Sequence, residues 1–268
     1  MDNSQREVII SLKNVTKVLG SVRVINNVSF DIYKGDIFVI MGCSGSGKST
    51  LLRLMTGILK PDEGNIFIHG RDIAKISGKE LDEIRRNFGM LFQYSALLDS
   101  LDVEENVALP LREHTKLDDH IIKIIVKLKL SLVGLKGFER YYPSEISGGM
   151  KKRVGLARAI ALDPEIVFYD EPTSGLDPVV AGITDKLIMD LSRKLLITSV
   201  VVTHDMQSVF RIADRVVMIH KGEVIQVGAP EEIRNSSNPY IQQFINGRPE
   251  GPIDFFKEDT SILEDLLK

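Results

Sequence analysis

Short apolar runs bounded by charged or glycine-containing breaks alternate along this chain with stretches of helical period, the layout of an α/β fold. Residues 8–12 and 23–33 show partial two-residue alternation and stop at Lys34-Gly35, which predicts strands of an antiparallel β layer. Residues 37–41 are apolar without interruption, the pattern of a strand covered on both faces. Beyond residue 50, Leu51, Leu52, Leu54, Met55 and Ile58 recur on one side of a predicted helix. Residues 60–64 form a turn cluster, 65–69 a strand closed by Gly70, 79–86 a charged helix, and 89–92 a strand that ends at Gln93.

From residue 94 to about 162 the strand signals give way to helical ones, including a periodic segment over 117–133 with Ile121, Ile125 and Leu128 on one face. The sheet resumes at 165–169 and again at 198–203, with a helix over 179–196 between them: the strand, crossover and strand of a parallel sheet. Asp177 and Pro178 supply that helix with an N-cap and a first-turn proline. Strands over 215–220 and 223–227 flank the turn Lys221-Gly222, and no internal repeat is visible. The expectation is an α/β fold: a mixed, largely parallel core sheet, an antiparallel β layer and an inserted helical subdomain at about 94–162. Residues 1–246 are expected to form the main domain and 247–268 a C-terminal extension.

Composition narrows the function classes. At 268 residues the chain exceeds a usual single domain, and one α/β domain with an insertion and a tail accounts for the length. A net charge of -3 with 26% charged residues leaves no basic footprint, so nucleic acid is not an expected partner. The single cysteine, Cys43, excludes an internal disulfide and suits a reducing compartment; it reads as a small loop residue rather than a redox centre. The charged N-terminus lacks a signal-peptide core, and no apolar run is long enough to span a bilayer. The chain is expected to be soluble, with any membrane role exercised through a partner.

Gly42-Cys43-Ser44-Gly45-Ser46-Gly47-Lys48-Ser49-Thr50 follows the apolar strand and fits G-x-x-x-x-G-K-[ST], the phosphate-binding P-loop. Its glycines let backbone N–H groups turn inward on phosphates, Lys48 neutralises β- and γ-phosphate charge, and Ser49 offers a hydroxyl to Mg²⁺. Downstream, 166–169 is an apolar strand ending in Asp170 and Glu171. At such an edge Asp170 can hold Mg²⁺ through water, while Glu171 can polarise a water aimed at the γ-phosphate.

Ser147-Gly148-Gly149 opens another helix and exposes its first N–H groups, a second anion site on the same chain. Here the chain resembles the ATP-binding cassette (ABC) family, whose signature reads approximately LSGGQ; Ile146 and Met150 depart from it. The further family marks follow in order: Gln93 after its strand, Ser174-Gly175-Leu176-Asp177 after Glu171-Pro172-Thr173, and His204 after an apolar strand. The resemblance covers roughly residues 7–245 and implies a P-loop ATPase of ABC type using ATP and Mg²⁺. It implies Glu171, His204 and Gln93 as catalytic groups. Gln93 would touch Mg²⁺ or the attacking water and His204 the γ-phosphate. Asp177 would lie at the seam of a head-to-tail dimer, in which Ser147, Gly148 and Gly149 serve the ATP bound by the partner's P-loop. His69, His114, His120 and His220 carry no such mark, and the basic run Lys151 to Arg153 reads as a solvated helix face.

The family's aromatic adenine contact is missing, and Leu19 stands where it is expected. Within the family, residues 109–115, 143–145 and 247–253 look like the ATPase of Mla-type phospholipid transporters. That resemblance implies two such ATPases beneath an integral membrane permease, at the cytoplasmic face of the bacterial inner membrane. A periplasmic-facing, lipid-binding MCE subunit and a small cytoplasmic regulatory subunit are the further partners it implies. The stretch 94–103, with Leu97, Leu98 and Leu101, is where the family docks a permease coupling helix. Near the C-terminus, Ser261 to Glu264 has capping-box spacing for a terminal helix with Leu263, Leu266 and Leu267, expected either to dock on the sister ATPase or an accessory subunit or to fray. Readings outside this picture are an importer ATPase for a polar solute, a non-transport ABC protein of ribosomes or DNA, and a kinase or GTPase. The last gives no reason for a second anion site at Ser147.

Overall fold

The computed structural model describes residues 6–254. The chain opens with a long antiparallel hairpin of β1 (Val8–Leu19) and β2 (Val22–Tyr33), in which Val8 faces Tyr33 and Leu19 faces Val22. β3 (Ile37–Met41), buried at every position, leads through the loop 42–47 into α1 (Lys48–Met55). β4 (Glu63–Ile68) and β5 (Arg71–Asp72) return to the hairpin side, and α2 (Lys79–Arg85) carries the chain to β6 (Phe88–Leu91). The connection onward holds α3 (Val103–His114), α4 (Asp119–Leu132) and α5 (Gly148–Ala159). β7 (Ile166–Asp170), α6 (Pro178–Leu195), β8 (Thr198–Thr203), α7 (Met206–Ile212), β9 (Arg215–His220) and β10 (Glu223–Gly228) then alternate, and α8 (Pro230–Arg234) and α9 (Pro239–Ile245) follow.

Two sheets result. The antiparallel one has strand order β2-β1-β4-β5, and the core sheet runs β10-β9-β3-β8-β7-β6, parallel throughout except for the β9–β10 pair. This is the expected mixed core sheet with an antiparallel layer. Strand alternation distributes the apolar residues of β3 between two cores: Phe38 and Ile40 meet α1 and the antiparallel sheet, while Ile37, Val39 and Met41 meet the helices on the far side. Phe30 of β2 stacks on Phe38 of β3 with ring centroids 5.2 Å apart, so an aromatic pair ties the layers together.

Several elements depart from the sequence expectation. β1 runs on to Leu19, because Lys13, Val15, Thr16 and Lys17 find cross-strand partners despite irregular register. α1 ends at Met55, and Ile58, expected on its buried face, is 55% exposed beyond it. Most instructive is α4. The expected face of Ile121, Ile125 and Leu128 is split: Ile121 and Leu128 are exposed, Ile125 packs half-buried against the core, and Ile122, Val126, Lys129 and Leu130 are buried. Its apolar residues cover well over half of the circumference beside a polar face of His120, Lys123 and Lys127, so period alone does not choose the buried part; packing on α3 and α5 does, and Lys129 turns inward to reach the Asp163 carboxylate. Among the described residues no helix is long and apolar enough to cross a membrane. The expected terminal helix over 261–267 lies outside the described residues.

Candidate functional site

The parallel order β3-β8-β7-β6 sets four strand ends side by side, and each carries one of the expected groups: the P-loop after β3, His204 after β8, Asp170 and Glu171 at β7, and Gln93 after β6. Ligands of open α/β sheets collect at this edge because loops and helix N-termini meet there.

The P-loop's shape depends on glycine at two positions. Gly42 has φ 152°, and a Cβ there would lie 2.1 Å from the Ile219 carbonyl oxygen; Gly47 has φ 105°, and its Cβ would strike Ile25 and the Val24 carbonyl at 2.8 Å. Gly47 therefore caps α1 against the β2 backbone, and the first N–H groups of α1 face the loop. Lys48 is buried within the loop, its Nζ donating to the carbonyls of Gly42 at 2.7 Å and Cys43 at 2.8 Å. Burial pulls its pKa down, while the charges of Glu171, Cys43 and Asp170 push it back up. Ser44, Gly45 and Ser49 are exposed along the loop. The Cys43 thiol is buried, which raises its pKa and makes it a poor nucleophile, in line with a structural role.

Glu171 sits at a strained point. Its φ is +49°, a left-handed conformation uncommon for a residue with a Cβ. The strain is held by its N–H donating to Val202 O at 2.9 Å and by its own carbonyl accepting from Ser174 N at 3.2 Å and Lys152 Nζ at 3.2 Å. Its carboxylate Oε1 lies 2.9 Å from His204 Nδ1, so the two candidate catalytic residues are in direct contact. Asp170 is pushed to higher pKa by burial and then by Glu171, with Arg53, Lys48 and Lys152 opposing the shift. Its Oδ1 and the Ser46 hydroxyl are buried without a hydrogen-bond partner among the described residues. An unpaired buried carboxylate oxygen is costly, and it suits a hard cation or that cation's water. Among the described residues no cluster of three or more His, Cys, Asp or Glu is placed to hold a metal. Ser49, Gln93 and Asp170 are therefore a sparse oxygen set, the kind that fits Mg²⁺ bound chiefly through phosphates.

The expected second anion site is the start of α5. Ser147 caps α5, accepting from Met150 N at 3.3 Å, and it and Gly148 are exposed. A Cβ on Gly149 would meet Val180 Cγ1 at 2.8 Å, so the start of α5 packs on the start of α6, where Asp177 accepts from Val179 N and Val180 N at 3.0 and 3.1 Å. Among the described residues no hydrogen bond or ion pair joins residues 147–149 to the P-loop.

Two features escaped the sequence reading. Lys152, expected on a solvated face, is buried and donates to the carbonyls of Gln93 and Glu171. Its spacing was a usable signal, since it shares a helix face with Leu156 and Ala159, both buried. The segment after α9 also returns to the site: Gln243 holds Ile253 through both backbone groups, at 2.6 and 2.9 Å. Arg248 and Ile253 thereby wall a cavity of about 370 Å³ beside Cys43, Ser44 and His204.

Leu19 ends β1 at the tip of the hairpin, 42% exposed, with Val24 and Ile25 of the same hairpin seated against Gly47. Leu19→Tyr is expected to tighten ATP binding by about threefold to tenfold in a fluorescence titration, the range of one aromatic contact. Unchanged affinity would remove Leu19 from the adenine position.

Residues 25–174 match the ABC transporter family. The chain is 44% identical over 260 residues to the intermembrane phospholipid transport system ATP-binding protein MlaF of Haemophilus influenzae, covering 97% of this chain and 98% of that one. It is 45% identical over 251 residues to the probable ribonucleotide transport ATP-binding protein mkl of Mycobacterium leprae, covering 94% of this chain and 72% of the relative. Among solved structures it resembles the dimeric, post-hydrolysis ATP-binding cassette MJ0796 bound to ADP and Pi, at TM-score 0.76 and 33% identity, covering 83% of this chain and 99% of that one. With the P-loop, the paired acids and the histidine gathered on one sheet edge, these likenesses establish that the chain belongs to the ABC transporter family, as an ATP-hydrolysing cassette of the Mla type.

Proposed function

We propose that this ATPase works as a head-to-tail dimer on the cytoplasmic face of the bacterial inner membrane and drives phospholipid transport between the inner and outer membranes through a separate permease. The observation that carries the dimer is that Ser147 and Gly148, at an exposed helix start, share no hydrogen bond or ion pair with the P-loop of their own chain among the described residues. The phospholipid assignment rests on the near full-length likeness to the Haemophilus influenzae protein. Residues 1–246 act as the nucleotide-binding domain with its helical part at 94–162, and 247–268 as an extension. A periplasmic-facing, lipid-binding MCE subunit and a small cytoplasmic regulatory subunit complete the assembly.

In this mechanism Lys48 and the P-loop N–H groups bind and orient the ATP phosphates. Glu171 accepts the proton of the attacking water, and His204, 2.9 Å away, fixes the carboxylate and reports on the γ-phosphate. Ser49, Gln93 and Asp170 would hold Mg²⁺, which when bound neutralises charge developing on the phosphate oxygens. Ser147, Gly148 and Gly149 of one copy close over the nucleotide of the other, with Asp177 at the seam.

The groove after Gln93 is the permease site. Asn106, fully buried, clamps this loop by binding Leu98 N at 2.8 Å and the carbonyls of Leu98 and Leu101 at 3.0 Å, while Arg158 binds the carbonyls of Ser95 and Ala96. The loop borders a groove of about 500 Å³ that includes Phe92, Leu98 and Pro110, with Leu98 45% exposed. Its shape is fixed from below, so a permease helix meets a preformed apolar surface.

Purification from membranes, with identification of the bound partner and lipid, tests the whole reading. The intact chain is expected to bring down a permease and phospholipid, and Leu98→Asp to stay folded and lose the permease. A bound polar solute without lipid would favour the second reading, an importer ATPase, which the ribonucleotide transport name of the Mycobacterium leprae relative supports. A folded Leu98→Asp chain that still brings down the permease would remove this groove as the docking site.

A further inference from the structure

Lys152 is a cation in an unusual place. It belongs to α5, the helix that starts at the capping residue Ser147, yet its side chain is buried and turned toward the catalytic edge of its own chain. There its Nζ donates to two main-chain carbonyls that are far apart in sequence, those of Gln93 and Glu171. Gln93 begins the loop that carries Ser95 and Ala96 in left-handed conformation (φ 62° and 46°), and Glu171 is itself left-handed. Both carbonyls thus lie at irregular backbone outside the strand and helix ladders, where the Glu171 carbonyl has one other donor, Ser174 N. A buried ammonium needs such acceptors, and the acceptors in turn are fixed by it.

We infer that Lys152 is a positioning residue of the ATPase reaction, whose ammonium bridges the carbonyls of Gln93 and Glu171 and holds the base and the sensor loop in one arrangement. The inference rests on the reading of Glu171 as the base. It deepens that reading, because the helix whose start serves the partner's nucleotide carries, in its second turn, the group that sets the geometry of its own site. A shift of α5 is thereby passed directly to Glu171 through a single side chain. Lys152 touches neither phosphate nor water in this account; it acts through the backbone of residues that do.

The test compares Lys152→Met, Lys152→Gln and Lys152→Arg with the unaltered chain and with Glu171→Gln, in the full assembly purified from membranes. ATP turnover, ATP affinity by titration with a fluorescent analogue, and melting temperature are measured for each. Misplacement of a reacting group by about 1 Å costs on the order of 10²-fold, so Lys152→Met is expected to lose about tenfold to hundredfold in kcat with ATP affinity within about twofold. Lys152→Arg, which keeps cationic donors, is expected to recover most of that loss, and Lys152→Gln, a neutral donor, a smaller part. Should the Met variant fail to fold, the Gln variant carries the test with the same split between kcat and affinity. If Glu171→Gln is inactive while folded Lys152 variants turn over at the normal rate, or lose affinity rather than kcat, this inference falls and the base assignment stands. If Glu171→Gln turns over normally, the base assignment fails and the inference falls with it.

Discussion

Glu171→Gln is expected to bind ATP as tightly as the unaltered chain and to hydrolyse it about 10²- to 10⁴-fold more slowly, the contribution of a positioned general base. The amide matches the carboxylate in size and keeps a polar partner for His204, now 2.9 Å from Oε1. It also leaves the backbone untouched, since the left-handed conformation is held by Val202, Ser174 and Lys152 through main-chain groups. Only basicity is removed. Single-turnover hydrolysis alongside a binding titration separates the two effects, and near-normal turnover would refute the assignment of Glu171.

The second large effect concerns a residue with no bond to that carboxylate among the described residues. Ser147→Arg removes an N-cap, worth about 1 kcal/mol, which is too little to unfold a domain of this size. It also places a bulky cation at the positive end of α5, where an anion is meant to sit. Hydrolysis is expected to fall by about 10²-fold or more, as for loss of an electrostatic stabiliser, with a melting temperature close to that of the unaltered chain. Lys48→Ala is expected to fall at least as far, because the buried ammonium is the cation at the centre of the P-loop. Melting curves and ATPase assays on the two variants check both.

The catalytic edge was legible in the sequence because its marks are local. A P-loop, an apolar strand ending in Asp170-Glu171, and a strand ending before His204 each declare their place in a few residues. The parallel topology then has to bring their ends together. What was not legible depended on packing between distant segments. The face of α4 is chosen by α3 and α5, since Ile121, Ile124 and Leu128 are as apolar as the buried Ile122, Val126 and Leu130. Lys152 shares a helix face with the buried Leu156 and Ala159, which marks it as inward, but its acceptors, two carbonyls of irregular backbone at Gln93 and Glu171, are set by packing between distant segments. The return of Ile253 to Gln243, close to the P-loop, rests on one buried amide exchanging bonds across a loop.

A shared active site makes a demand that neither single variant can test. In a mixed dimer of one Lys48→Ala chain and one Ser147→Arg chain, one composite site carries both lesions and the other carries none. An equal mixture of the two inactive chains, allowed to exchange partners, is therefore expected to regain about a quarter of the unaltered ATPase rate, half the dimers being mixed and half of their sites intact. A mixture no more active than either chain alone would contradict the account that each site is completed by Ser147 to Gly149 of the other copy.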